Sequence, residues 1–255
     1  MTFIRYEISL LPFSKRLALT LLLSFSFNSL GNAQYKVIAF DAFPIFDPRP
    51  VFATTKKLFP KKGKALNKLW VNKQFSYTWL RVSGNKYKDF FKVTEDALIY
   101  AAKSVGIPLT TPQKNLIMNT YYKLLPWPEA TAALKKLKQA GIKLTFLSNF
   151  TEKMLNSAIK NSQLQDYFSP LLSTDLIKTF KPDPKAYQLV IDRFKVKKSE
   201  ILFVPFAAWD AAGAKWFGHN VFWVNRLGQQ REELGISLKN MGTSLNDLVD
   251  FVLPK

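Results

Sequence analysis

The stretch Lys36–Ala42, KVIAFDA, sets four consecutive apolar residues directly in front of a carboxylate. A run this short, enriched in β-branched residues, predicts a strand buried on both faces, the habit of strands in parallel sheets. Similar runs recur at Leu144–Leu147, Ile201–Val204 and Val221–Val224, with a weaker one near Leu171–Ser173. Helical patterns lie between them. Ala130–Ala140 ends at Gly141, a good helix stop. Thr151–Lys160, Pro184–Phe194 and Ala208–Phe217 carry apolar residues at three- and four-residue spacing. Strands alternating with amphipathic helices predict an α/β fold with a parallel sheet covered on both sides.

One segment breaks the alternation. From Pro48 to Leu125 there is no convincing strand. Helical stretches run over Lys64–Val82, Phe90–Ser104 and Pro112–Lys123, punctuated by Gly63, Gly84 and Gly106-Ile107-Pro108. The expected organisation is a core built from residues 34–47 and 126–255, with a helical lobe over 48–125 inserted after the first strand.

Residues 1–33 read differently. Arg5, Lys15 and Arg16 make a basic start, Leu17–Phe27 is uncharged and apolar over 11 residues, and small residues at Gly31 and Ala33 precede Gln34. That order predicts a secretory signal peptide cleaved after Ala33, hence a periplasmic or secreted protein. The apolar run is short against the roughly 20 residues of a membrane span. With no cysteine in the chain, a lipid-anchored lipoprotein, a disulfide framework, a zinc–thiolate site and a Cys nucleophile are all excluded. The single histidine, His219, leaves little room for a Ser–His triad; it follows Gly218 and is expected at a surface turn. The 255 residues are 47% hydrophobic and 15% aromatic, as in a folded globular protein. The net charge of +19 becomes +17 when residues 1–33, three bases and one acid, are set aside. The bases are spread along the chain, so they read as a solvated basic surface or as attraction for a small anion. No nucleic-acid module is visible.

In open α/β sheets, ligands sit beyond the carboxyl ends of the strands. Those ends carry Asp41, then Ser148-Asn149, then Lys181 in the loop after the weaker strand, then Asp210. A carboxylate nucleophile, a hydroxyl–amide pair, a lysine to keep the carboxylate ionised and a second carboxylate suit displacement at an electrophile. Each has a bland reading as well. Asp41 could cap a turn, Ser148-Asn149 could cap the next helix, and Asp210 could sit at a helix start for its dipole. Lys181 could be a solvated loop residue. Phe90, Trp209 and the stripe Trp70, Phe75, Tyr77, Trp79 could be packing.

The ordered set FDA, LSN, FKPDP and WD followed by AGAKWFG resembles the four motifs of the haloacid dehalogenase superfamily. KQFSYTWLR (Lys73–Arg81), YKDFFKVTEDAL (Tyr87–Leu98), TFLSN (Thr145–Asn149) and AWDAAGAKWFG (Ala208–Gly218) look like its L-2-haloacid (type II) group over residues 35–253. The resemblance implies a Rossmann-like core under a helical cap. It implies that Asp41 displaces halide from C2 of a 2-haloalkanoate, forming an ester that water hydrolyses. It puts Lys181, Ser148, Asn149 and Asp210 among the catalytic residues and Phe43, Asn72, Phe90, Tyr187 and Trp209 around the substrate, with no metal or cofactor. Pairing through the cap into a homodimer is open on the same grounds. Two alternatives stand beside this reading. One is hydrolysis of another small anion, such as a phosphate ester with Mg2+, against which Phe43 occupies the position where those enzymes keep an acid. The other is a non-catalytic anion-binding relative. It is motivated by departures from the pattern: Phe43-Pro44-Ile45-Phe46-Asp47 after the nucleophile, Val71 where an arginine is usual, and Pro205-Phe206-Ala207 before Trp209. Losing a charged donor to a carboxylate removes roughly 1.5–3 kcal/mol, and Arg49, Lys73 and Arg81 are the candidates to replace it.

Overall fold

The computed structural model describes residues 34–254; the expected signal peptide at 1–33 lies outside them. Five strands, β1 (Val37–Phe40), β2 (Lys143–Ser148), β3 (Phe168–Ser173), β4 (Ile201–Val204) and β5 (Asn220–Val221), form one parallel sheet in the order β3-β2-β1-β4-β5. β1 is central, and Phe40 pairs with Phe146 on one side and Val204 on the other. Because strand side chains alternate, Ile38 and Phe40 enter one core with Leu134 and Leu248, while Val37 and Ala39 enter another with Tyr187, Val190 and Ala211. All four β1 residues are fully buried, which is why the run is uninterrupted by polar residues.

Four helices follow β1: α1 (Arg49–Leu58), α2 (Gly63–Ser83), α3 (Phe90–Ser104) and α4 (Thr111–Asn119). Asp89 caps α3 by accepting from the Lys92 amide, and Thr110 with Gln113 forms a capping box on α4. Trp70 of α2 is buried and donates its indole N–H to the Thr94 carbonyl of α3 at 2.8 Å. The chain then returns to the sheet through α5 (Ala130–Gln139), α6 (Glu152–Asn161), α7 (Pro184–Phe194) and α8 (Ala208–Phe217), ending with α9 (Leu245–Val252). The described residues form one compact unit, the helical insertion included.

Three local expectations are corrected. The run Val221–Val224 splits: β5 stays in the main sheet, while β6 (Trp223–Val224) pairs with β7 (Met241–Gly242). The helix expected over Pro112–Lys123 stops at Asn119 and tightens into a single 3₁₀ turn, Thr120–Lys123. His219 is buried, not at a surface turn. Gly218 closes α8 in the left-handed conformation at φ +98°, and that turn carries the imidazole inward. Its Nε2 lies 3.2 Å from the Tyr187 carbonyl oxygen, so Nε2 carries the proton, and Nδ1 has no partner.

Burial pushes the His219 pKa down from 6.5 to about 4. A base whose folded pKa is depressed stabilises the fold above its unfolded pKa and loses that contribution as pH falls through the folded value. Stability measured by urea unfolding is therefore expected to fall between pH 6.5 and 4, by at most ~3 kcal/mol from this group. His219→Leu is expected to flatten that part of the profile. An unchanged slope in the variant would show that other groups set it.

Candidate active site

Asp41 is the first residue beyond β1, and its amide donates to the Val204 carbonyl at 3.0 Å, extending the β1–β4 ladder by one bond. β1 and β4 flank the point where the strand order reverses, so the carboxylate stands at the mouth of the sheet's crevice. The loop that follows is held by the segment after β6 (Trp223–Val224). Arg226, almost wholly buried, donates to the Pro44 carbonyl through Nη2 (2.8 Å) and Nε (3.2 Å), pairs with Glu129 at 2.7 Å and stacks on Trp127.

Lys181 precedes α7 and is buried between two acids. Its Nζ donates to Asp41 Oδ1 at 2.9 Å and to Asp210 Oδ2 at 2.5 Å. Burial would push the ammonium down, but Asp210 and Asp41 outweigh it and hold the pKa above the ordinary lysine value. Asp210 is buried in the first turn of α8, and its pKa is raised to about 6, chiefly by burial, with Asp41 adding to the rise and Lys181 opposing it. Ser148, at the end of β2, donates to Asp41 Oδ1 at 3.2 Å. Both donors thus grip one oxygen of Asp41; Oδ2 has no hydrogen-bond partner among the described residues.

Asn149 is oriented by its carbonyl oxygen, which accepts from the Lys181 amide (2.9 Å) and the Thr174 hydroxyl (3.2 Å). Its amide nitrogen is left as the donor turned to the cavity. The N-terminus of α8 also opens there, with Ala207 supplying no side-chain cap, so the first backbone N–H groups lack that partner. The cavity measures about 470 Å³. Its floor is Asp41, Ser148, Asn149, Lys181 and Asp210, and its roof comes from α2 and α3.

Phe43, Phe90 and Trp209 line this space. Two other expected substrate contacts are corrected. Asn72 is exposed and absent from the lining. The lining face of α2 is Val71, Gln74, Phe75 and Thr78, and a step of one residue turns Asn72 about 100° away from it. Tyr187 is fully buried behind the site; its hydroxyl donates to Asp210 Oδ1 at 2.8 Å, which makes it a positioning residue and not a substrate contact. Burial, with Asp210 beside it, holds the phenol pKa well above its ordinary value, so it stays a donor. The three candidate replacement cations lie elsewhere. Arg49 pairs with Asp47, Arg81 pairs with Asp96, and Lys73 sits over the Tyr100 ring. Gln74, Thr78, Phe150 and Arg226 went unmarked in the sequence, since nothing separates them from ordinary packing or surface residues there. Among the described residues no three His, Cys, Asp or Glu side chains cluster so as to hold a metal ion.

Comparison with known proteins gives a consistent result. The family described as haloacid dehalogenase-like hydrolase matches residues 35–218. An (S)-2-haloacid dehalogenase of Pseudomonas sp. strain YL is 37% identical over 216 residues, covering 84% of this chain and 93% of that protein. A haloacetate dehalogenase of Moraxella sp. strain B is 35% identical, over 78% of this chain and 90% of its own length. The L-2-haloacid dehalogenase of Xanthobacter autotrophicus, solved with chloropropionic acid covalently bound, superposes with a TM-score of 0.78 at 30% identity, over 86% of this chain and 98% of that one.

The positioning network yields two measurable consequences. A Cβ on Gly213 of α8 would stand 2.5 Å from the Tyr187 hydroxyl and 2.6 Å from Pro182. Gly213→Ala is therefore expected to lower the melting temperature and to push Tyr187 off Asp210. Tyr187→Phe removes a hydrogen bond that favours ionised Asp210, so the Asp210 pKa is expected to rise above about 6. Carboxyl carbon NMR titration reads both variants; an unmoved Asp210 in Tyr187→Phe would contradict the assigned bond.

Proposed function

Because the chain belongs to the haloacid dehalogenase-like hydrolases, and within them to the L-2-haloacid dehalogenase type, we propose that it hydrolyses the carbon–halogen bond of a 2-haloalkanoate through an ester on Asp41. The observation that carries this is the asymmetry of Asp41: Oδ1 is gripped by Lys181 and Ser148, while Oδ2 is free at the cavity. In the first step Oδ2 attacks C2 opposite the halogen, the C2–halogen bond breaks, and the halide leaves with the bonding pair. The Lys181 ammonium, 2.9 Å from Oδ1, holds the carboxylate in place for that attack. In the second step water adds to Cγ and gives one proton to Asp210. The negative charge then gathers on Oδ1, where the Lys181 and Ser148 donors already point. Collapse breaks the Cγ–Oδ2 bond; the product takes the former Oδ2 and a proton as its hydroxyl, and the second proton goes to solvent. Phe43 packs its ring between Phe150 and Phe206 at 5.3 and 5.5 Å, which supports the dehalogenase reading over a magnesium phosphatase needing an acid there.

We also propose that the chain is exported, on the basic start, apolar run and small residues of positions 1–33. Mass spectrometry of the exported protein is expected to find Gln34 as the first residue; a retained residue 1 would refute this. No helix of the described residues is long and apolar enough to cross a membrane.

The chemistry is tested by isotope. With enzyme in excess over a 2-chloroalkanoate in heavy-oxygen water, the product hydroxyl is expected to carry ordinary oxygen and the Asp41 peptide to gain the label. Label in the product at the first turnover would replace the ester with direct attack by water. Asp41→Asn is expected to release no halide, and Ser148→Ala to slow ester hydrolysis by about 10²-fold. Ionised Asp210 accepts the proton from water, so the rate of ester hydrolysis is expected to fall as pH drops through about 6. A limb near 4 would remove Asp210 from that role.

A further inference from the structure

Charge in the cavity is lopsided. Asp41, Asp210 and Glu232 line it as acids, against Lys181 as the one base among the described residues. Lys181 is already shared between Asp41 and Asp210. A substrate carboxylate therefore meets no free cation among the described residues; neutral donors face it, among them the Asn149 amide, the uncapped first turn of α8 and the lining glutamines. The apolar side is extensive. Rings from five separate segments enclose the space: Phe43 between Phe150 and Phe206, Phe90 against Phe150 at 5.6 Å, and Phe75 against Trp209 at 5.0 Å. At about 470 Å³ the cavity lies within the roughly 300–1,000 Å³ of pockets that take drug-sized ligands, far more than a propionate-sized molecule fills.

We propose that this site selects its substrate by the hydrophobic group beyond C2 and only weakly by charge at C1. Its substrates are 2-haloalkanoates bearing an aryl or large branched alkyl group on C3, and their neutral amides are accepted beside the acids. The proposal rests on the dehalogenase reading and deepens it. The bonds made and broken are those of the two steps above, since an amide carbonyl activates C2 as a carboxylate does.

The test compares halide release from (S)-2-chloropropanoate, (S)-2-chloro-3-phenylpropanoate and the amide of the latter. Expected is a kcat/KM at least tenfold higher for the phenyl acid than for chloropropanoate, with the amide within tenfold of its acid. A phenyl acid below that margin, or an amide more than tenfold slower than its acid, overturns the proposal. Calorimetric binding of the unreactive propanoate, 3-phenylpropanoate and 3-phenylpropanamide separates the two readings. Should none of the chloro compounds release halide, the dehalogenase reading falls, while tight binding of both phenyl compounds over propanoate still supports the selectivity. Preference for propanoate, or rejection of the amide, defeats it.

Discussion

One ammonium group between two carboxylates organises this molecule. Lys181 is buried with its Nζ in hydrogen-bond range of both Asp41 and Asp210. Withdrawing three charges from water costs several kcal/mol per ion unless each is paired and hydrogen-bonded. The neighbours supply that pairing: Ser148 on Asp41, Tyr187 on Asp210, and Asn149 on the Lys181 backbone. Those partners come from the end of β2 and from α7, and the charges themselves from the end of β1, the loop before α7 and the first turn of α8, so they are compatible with folding only when the sheet order is right. One cation against two anions leaves the cluster short of positive charge. Asp210 rises to about 6 chiefly because it is buried, with Asp41 adding to the rise and Lys181 opposing it.

The sheet makes this arrangement possible by being dull everywhere else. β1 is apolar on both faces, with each face sealed by its own core, and polarity is confined to the residue where the strand stops. Arg226 then fixes the loop beyond Asp41 to Glu129, whose carboxylate also accepts from the Leu245 amide at the start of α9. That anchor helps set the direction in which Asp41 leaves the strand.

Strand-end chemistry was legible in the sequence because it is local: an apolar run followed by a polar residue defines both the element and its active end. Asp41, Ser148 and Asn149 follow from that rule, while Lys181 and Asp210 stand further along, in the loop before α7 and in the first turn of α8. Side-chain direction around a helix was less legible. Asn72 and Gln74 are both polar residues of α2, and only the packing of α2 on α3 through Trp70 decides that Gln74 and not Asn72 looks inward. Tyr187 and His219 failed for a related reason. Their polar ends are satisfied by residues distant in the chain, Asp210 and the Tyr187 carbonyl, and sequence spacing does not reveal such partners. α9 went unmarked because it is only eight residues long and is held by the Ser244–Asp247 capping box and by burial of Leu245, Leu248 and Val249, more than by a long periodic pattern.

The charge distribution gives the site a division of labour. Residues beyond position 33 carry a net +17, and a field of that sign draws small anions toward the protein over about 10 Å of screening length. Inside the cavity the balance reverses, with three acids lining it against one base. An anion is thus attracted to the molecule but not held by charge once inside. Both products of the proposed reaction, a halide and a hydroxy acid, are anions, and a fixed free cation in the pocket would retain them. Apolar enclosure can hold the side chain of the substrate through both steps without adding that electrostatic barrier to release. The aromatic walls and the engaged lysine therefore fit one requirement: grip on the part of the substrate that does not change charge, and no excess grip on the parts that leave.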